Sequence, residues 1–137
     1  FGADEAAEMT ASGLISIQSH TYDMHQWPPY EDGSAAVREN ILQLPGESEE
    51  AYVEALTADF TRSRAQLEAA AGRPVDVLAY PATLAQVTLQ NLGVHVTLST
   101  NPGINTVVKG LPQTLTAMLR FGVTEDLSPE ALLEMIQ

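Results

Sequence analysis

Three times along this chain a helix-forming segment runs into a glycine, and a short apolar stretch follows. Gly13 separates the Ala- and Glu-rich Ala3–Ser12 from Leu14–Ser19 (LISIQS). Gly72, followed by Arg73-Pro74, separates Glu49–Ala71 from Val75–Tyr80 (VDVLAY), and Gly93 separates Thr83–Leu92 from Val94–Ser99. Glycine just past a helix end takes the left-handed conformation that closes it. Apolar runs of this length suit buried strands. A fourth strand is expected near Met118–Val123, ahead of a last helix opened by Ser128-Pro129-Glu130. Such alternation implies an α/β fold, a parallel sheet or barrel with helices outside.

The central helix has the clearest signals. Ser48 offers an N-cap, and Glu49 and Glu50 occupy the first turn, where the helix dipole favours anions. Glu47 joins them as solvated surface. Val53, Leu56, Phe60 and Leu67 fall on one face as its core side. Between the first strand and this helix, residues 20–46 hold Trp27, three of the eight prolines and Asp32-Gly33. That chemistry predicts a long loop, with one helical turn near Ala35–Leu42.

Composition narrows the function. The 137 residues suit one domain, and eighteen acidic against six basic residues give a net charge of −12. That balance excludes a phosphate-binding face, and with it nucleic acid and an anionic membrane surface, as partners. The absence of cysteine removes disulfides, thiolate metal sites and cysteine nucleophiles together. No apolar run approaches the roughly 20 residues of a transmembrane helix. The chain opens on Phe1 with no leader pattern, as expected of a processed product or a part of a longer chain.

In parallel α/β folds, ligands gather at the carboxyl ends of the strands. His20 follows the end of the first strand, Tyr80-Pro81 closes the second and Ser99-Thr100-Asn101 the third. His95 instead starts its strand, roughly 13 Å from that end at about 3.3 Å per residue. It is expected in the core or on the far face. The sharpest local signal is Ser19-His20-Thr21-Tyr22-Asp23-Met24-His25. Imidazoles five residues apart do not share a helix face, but on a loop they can converge on one divalent metal, zinc among the candidates. They can equally be two solvated loop residues. A hydrolytic zinc site usually has three protein ligands and one position for water.

The stretch from Glu8 to His25 resembles the second motif of the polysaccharide deacetylases, the NodB-homology enzymes of carbohydrate esterase family four. The His spacing is most similar to the branch acting on poly-N-acetylglucosamine. Arg73-Pro74 with Leu78-Ala79-Tyr80-Pro81 resembles the third motif. Leu92-Gly93-Val94, Thr97-Leu98-Ser99, Pro102-Gly103-Ile104-Asn105 and Leu111-Pro112 continue the likeness through most of the chain. The resemblance implies metal-dependent removal of N-acetyl groups from a polysaccharide, in a secreted or cell-envelope setting. It implies His20 and His25 as metal ligands, with Tyr80, Pro81 and Ala82 forming the pocket and oxyanion loop. The implied fold is the carboxyl-terminal part of an irregular NodB-type (β/α)7 barrel, residues 1–137 forming a partial domain.

Two departures accompany the likeness. The family's first motif, Thr-Phe-Asp-Asp, is absent; it supplies a third ligand and the catalytic base and is expected upstream of Phe1. The chain alone is therefore expected to be inactive. After Tyr80-Pro81, Ala82-Thr83 stands where an aromatic residue and Gly are usual. Asp23 serves either as an outer partner orienting an imidazole or as a turn cap. Trp27 either stacks on a sugar ring or packs its own loop. Two other readings stay open: a non-catalytic carbohydrate-binding or scaffold domain of the same fold, and a self-sufficient small α/β domain. The last would leave a sheet edge open.

Overall fold

In the computed structural model, residues 2–26, 38–79 and 83–136 are described, with backbone alone for Thr83 and Leu84. Helix α1 spans Ala3–Ala11, and the Gly2 N–H donates to Glu5 Oε2 at 2.7 Å at its start. Helix α2 covers Glu49–Ala71 with the predicted caps. Ser48 Oγ accepts the Ala51 N–H at 3.2 Å, and Gly72, at φ 63°, takes the left-handed closing turn. Strand β1 (Val77–Ala79), helix α3 (Thr83–Asn91), strand β2 (Val96–Leu98) and helix α4 (Pro129–Met135) follow. Ser128 caps α4 as its sequence predicts.

β1 and β2 pair in parallel, Val77 opposite Val96 and Ala79 opposite Leu98. Ser19 bridges in parallel to Leu78 on one side, and Met118 bridges in parallel to Leu98 on the other. The four predicted rows are thus present with the expected direction, but the first and fourth shrink to single bridges. Leu14 is 87% exposed and Ile15 47%, so Leu14–Ser19 is not the buried strand its composition suggests. One reason lies in Gln18, whose Oε1 accepts the Asp76 and Val77 N–H groups at 3.1 Å each, ahead of the bridge. At the opposite edge, Leu119 donates to Asn105 Oδ1 and accepts from Asn105 Nδ2, both at 2.8 Å. Side-chain amides there satisfy main-chain groups that a longer ladder would pair.

The core gathers Tyr52, Leu56 and Phe60 of α2, Ala85 and Leu89 of α3, and Val75, Leu78 and Val94 around the strands. Met24 and Ile41 close it from the long connection before α2. The buried face of α2 carries Tyr52, Leu56, Phe60, Ser63 and Ala71. Val53, placed on that face by spacing alone, is half-buried, while Leu67 packs at the edge of the core. Tyr52 tolerates burial because its hydroxyl donates to the Ile41 carbonyl at 2.7 Å. Arg64 Nε donates to the Val75 carbonyl at 3.1 Å and Glu68 Oε1 accepts the Val75 N–H at 2.9 Å. Together they fasten the return from α2 into β1.

Residues 38–42 are irregular, so the described part of the predicted helical turn near Ala35–Leu42 is not helical. Glu47 is also not solvated surface. Its side chain, 12% exposed, pairs with Arg38 and accepts the Leu44 N–H at 3.0 Å. The hydrogen bond from Arg38 holds its carboxyl below the usual range. Among the described residues no helix is long and apolar enough to cross a membrane.

Candidate metal centre

The bridge between Ser19 and Leu78 puts His20 level with Ala79, at the carboxyl end of the parallel rows. Arg120 belongs to the same end: its Nε donates to the Ser99 carbonyl at 2.9 Å and its N–H to the Asn101 carbonyl at 3.0 Å. His25 returns to His20, and the ring centroids lie 5.2 Å apart at an interplanar angle of 89°. Two imidazoles sharing one tetrahedral ion at about 2.1 Å would hold their centroids about 5.3 Å apart. The spacing of the two rings matches that of a pair sharing one divalent ion.

The protonation states fit as well. His25 Nδ1 lies 2.9 Å from the Glu39 carbonyl oxygen, which can only accept. Nδ1 is therefore the donor in this contact, and Nε2 is the nitrogen left to ligate, the arrangement usual in metal-binding histidines. Desolvation, the neighbouring His25 and the Arg120 charge lower the His20 pKa, in that order, which favours the neutral form that ligates. Among the described residues no third His, Cys, Asp or Glu completes a ligand set.

The loop carrying both rings is anchored beneath them. Ser19 and Ser63 hydroxyls, both buried, meet at 2.8 Å. Asp59 of α2 accepts the Tyr22 N–H on Oδ2 at 2.9 Å and the Asp23 N–H on Oδ1 at 2.6 Å. Met24, 3% exposed, falls between the two histidines in the chain and packs into the core. Thr21 sits at φ 76°, a conformation costing of order 1–3 kcal/mol outside glycine, and its N–H donates to Ser19 Oγ. Beyond His25, the Gln26 N–H donates to the Arg38 carbonyl and Gln26 Oε1 accepts the Arg38 N–H, both at 2.9 Å. That pairing brings Glu39 beside His25.

Of the other predicted site residues, Trp27, Tyr80, Pro81 and Ala82 lie outside the described residues. Asp23 is exposed, and its main-chain N–H serves the loop through Asp59. His95 is level with Asp76, three residues behind His20 in register, or about 10 Å at 3.3 Å per residue. It stands away from the histidine pair as expected, but in solvent and not in the core.

Residues 2–100 match the sequence profile of the family described as Polysaccharide deacetylase. The match takes in the histidine loop, α2 and both strands. The chain belongs to the polysaccharide deacetylase family. No curated protein matches it in sequence. Among solved structures it is similar to the BpsB deacetylase domain of Bordetella bronchiseptica, at 18% identity and TM-score 0.63 over 87% of this chain. It is also similar to a de-N-acetylase from Aggregatibacter actinomycetemcomitans, at 19% identity and TM-score 0.64 over 99% of this chain. A polysaccharide deacetylase from Bacillus cereus aligns over all of it, at 21% identity and TM-score 0.63. The chain spans 48%, 53% and 37% of those three structures, about half or less. The alternating helices and parallel rows are accordingly those of a deacetylase fold.

Several parts of this candidate site carried no signal in the sequence. Asp59 and Ser63 read as ordinary helix positions, and Glu39 contributes only a carbonyl. Arg120 lay in a segment read as a strand. Each meets the site across a chain separation that no local pattern encodes.

Proposed function

We propose that the protein hydrolyses N-acetyl groups of an N-acetylglucosamine-containing polysaccharide with a divalent metal, zinc by preference, held by His20 and His25. The observation that carries this reading is the convergence of the two rings, 5.2 Å apart, on a loop inside the family match. When bound, the ion supplies Lewis-acid polarisation of water and of the amide oxygen. The chain's own residues do the remaining work. Glu39 accepts from His25 Nδ1 through its carbonyl and leaves Nε2 as the nitrogen to ligate, and partial desolvation favours the neutral form of His20.

Two imidazoles are one ligand short of a usual hydrolytic zinc site, and neither can also serve as general base while ligating. We expect the missing carboxylates from outside residues 1–137, and we expect this chain alone to be inactive. We place the loop around Tyr80, Pro81 and Ala82 against the acetyl group, where a main-chain N–H would hold the developing oxyanion. Polymers of this kind lie outside the cytoplasm, and we assign the reaction to the envelope or the exterior.

The test is acetate release from N-acetylglucosamine oligomers, beside metal content by elemental analysis. The full-length protein, its His20→Ala variant and residues 1–137 alone are compared. Metal-dependent release by the full-length protein, lost in the variant and in the short chain, is the expected result. Tight metal without turnover would favour the carbohydrate-binding alternative, and robust release from the short chain would mean that the machinery lies elsewhere.

A further inference from the structure

We infer that Asp59 is a positioning residue for the metal ligands, setting metal affinity through the backbone of the His20–His25 loop. The inference rests on the proposed metal role of the two histidines. A loop free to sample many conformations would hold two imidazoles five residues apart at one separation only part of the time. Here the loop is fastened at its middle. The Asp59 carboxylate takes two successive N–H groups, Tyr22 at 2.9 Å and Asp23 at 2.6 Å, one on each oxygen. Hydrogen bonds from backbone N–H groups to an ionised carboxylate are among the stronger kinds. They act across 37 and 36 residues of chain, so they tie the loop to the long helix α2 and not to a neighbour in sequence.

The position of the clamp matters as much as its strength. Tyr22 and Asp23 lie between the two ligands and immediately follow Thr21, whose φ of 76° turns the chain after His20. Locally the turn has the Thr21 N–H donating to Ser19 Oγ, and the bonds from Tyr22 and Asp23 to Asp59 add a long-range hold on it. Asp59 itself does not serve as the third ligand: its two oxygens are directed at the loop amides, and it belongs to no three-residue metal cluster among the described residues. It acts through His20 and His25 by deciding how often they face one point. Outer partners of this kind typically change metal affinity by 10–100-fold.

The experiment uses the full-length protein and cobalt(II) alone as probe, followed by its visible absorption and by affinity titration. Wild type, His20→Ala, Asp59→Ala and Asp59→Asn are compared, each with a metal-free melting curve. Asp59→Ala should bind cobalt about 10–100-fold more weakly than wild type, with an altered absorption band. Asp59→Asn keeps one acceptor oxygen and should fall between the two, which keeps the test decisive if the alanine variant folds poorly. A merely structural role would lower the melting temperature and leave affinity and spectrum of the folded protein unchanged. The inference is overturned if His20→Ala abolishes binding while both Asp59 variants bind within about twofold of wild type. Wild-type binding by His20→Ala would instead remove the metal reading itself, and the positioning role with it.

Discussion

Both ends of the small parallel sheet carry histidine, and they are built in different ways. At the carboxyl end, His20 and His25 face each other on a loop fastened by Ser63, Asp59 and the buried Met24. At the amino end, His95 meets a neighbour one strand away, with its Nδ1 3.5 Å from Asp76 Oδ2 and both side chains in solvent. One arrangement spends buried polar contacts and a strained threonine to hold two rings at a fixed separation. The other is an exposed pair of the sort that most protein surfaces carry. The comparison teaches that a histidine's role here follows from what holds its backbone, since both ends offer a nearby titratable partner.

The most severe way to break the comparison is to remove the plug under the loop. Met24→Ala should destabilise the protein by about 2–5 kcal/mol, the usual range for truncating a buried large apolar side chain. Denaturant unfolding reads that value directly. Because Met24 lies between the two proposed ligands in the chain, metal affinity should fall as well. A loss below about 1 kcal/mol would show that the loop does not share the core and that its order comes from α2 alone.

A smaller effect comes from protons. Burial, His25 and Arg120 hold the His20 pKa below its ordinary 6.5. The unfolded chain therefore binds more protons at this position than the folded protein, and stability rises with pH through that range. The contribution is present above pH 6.5 and is lost as the pH falls toward the lowered folded value. Metal-free melting temperature should thus fall between about pH 7.5 and 5.5. His20→Ala should flatten the slope, measured by circular dichroism. Equal slopes in the two proteins would show that neither desolvation nor the nearby His25 and Arg120 charges bias His20 toward its neutral form.

The legible parts of this molecule are those that local chemistry encodes. Ser48, Gly72 and Ser128 mark helix ends because capping is settled within a few residues, and the helices begin and end there. The parallel direction of the rows followed from the helix–strand order. Strand extent did not, because Gln18 and Asn105 take ladder positions with side-chain amides that no hydrophobic pattern reveals. The candidate site divides the same way. His20 and His25 stood out as a spaced pair after a strand, whereas Asp59 and Ser63 act across more than thirty residues from exposed-looking helix positions. Glu47 was misread for a related reason: its partner Arg38 lies nine residues away, across a loop rather than along a helix.

The smallest expected effect is at His95, and it sharpens the comparison most cleanly. Asp76 already accepts both the His95 and Val96 N–H groups on its main-chain carbonyl, at 2.8 and 3.2 Å, so the local backbone does not depend on the imidazole. The side-chain contact is a solvent-exposed pair, charged on the histidine side only when protonated, and such pairs contribute about 0–1 kcal/mol. His95→Ala should therefore change stability by less than about 1 kcal/mol, and by less still at high salt. Metal affinity should match wild type, because the ring lies about three residues of strand, roughly 10 Å, behind the His20 level. Isothermal titration with zinc and denaturant unfolding of the same variant measure both quantities. A drop in metal affinity comparable with His20→Ala would mean that the two ends of the sheet are coupled, and the contrast between a fastened and an exposed histidine would no longer explain which of them binds.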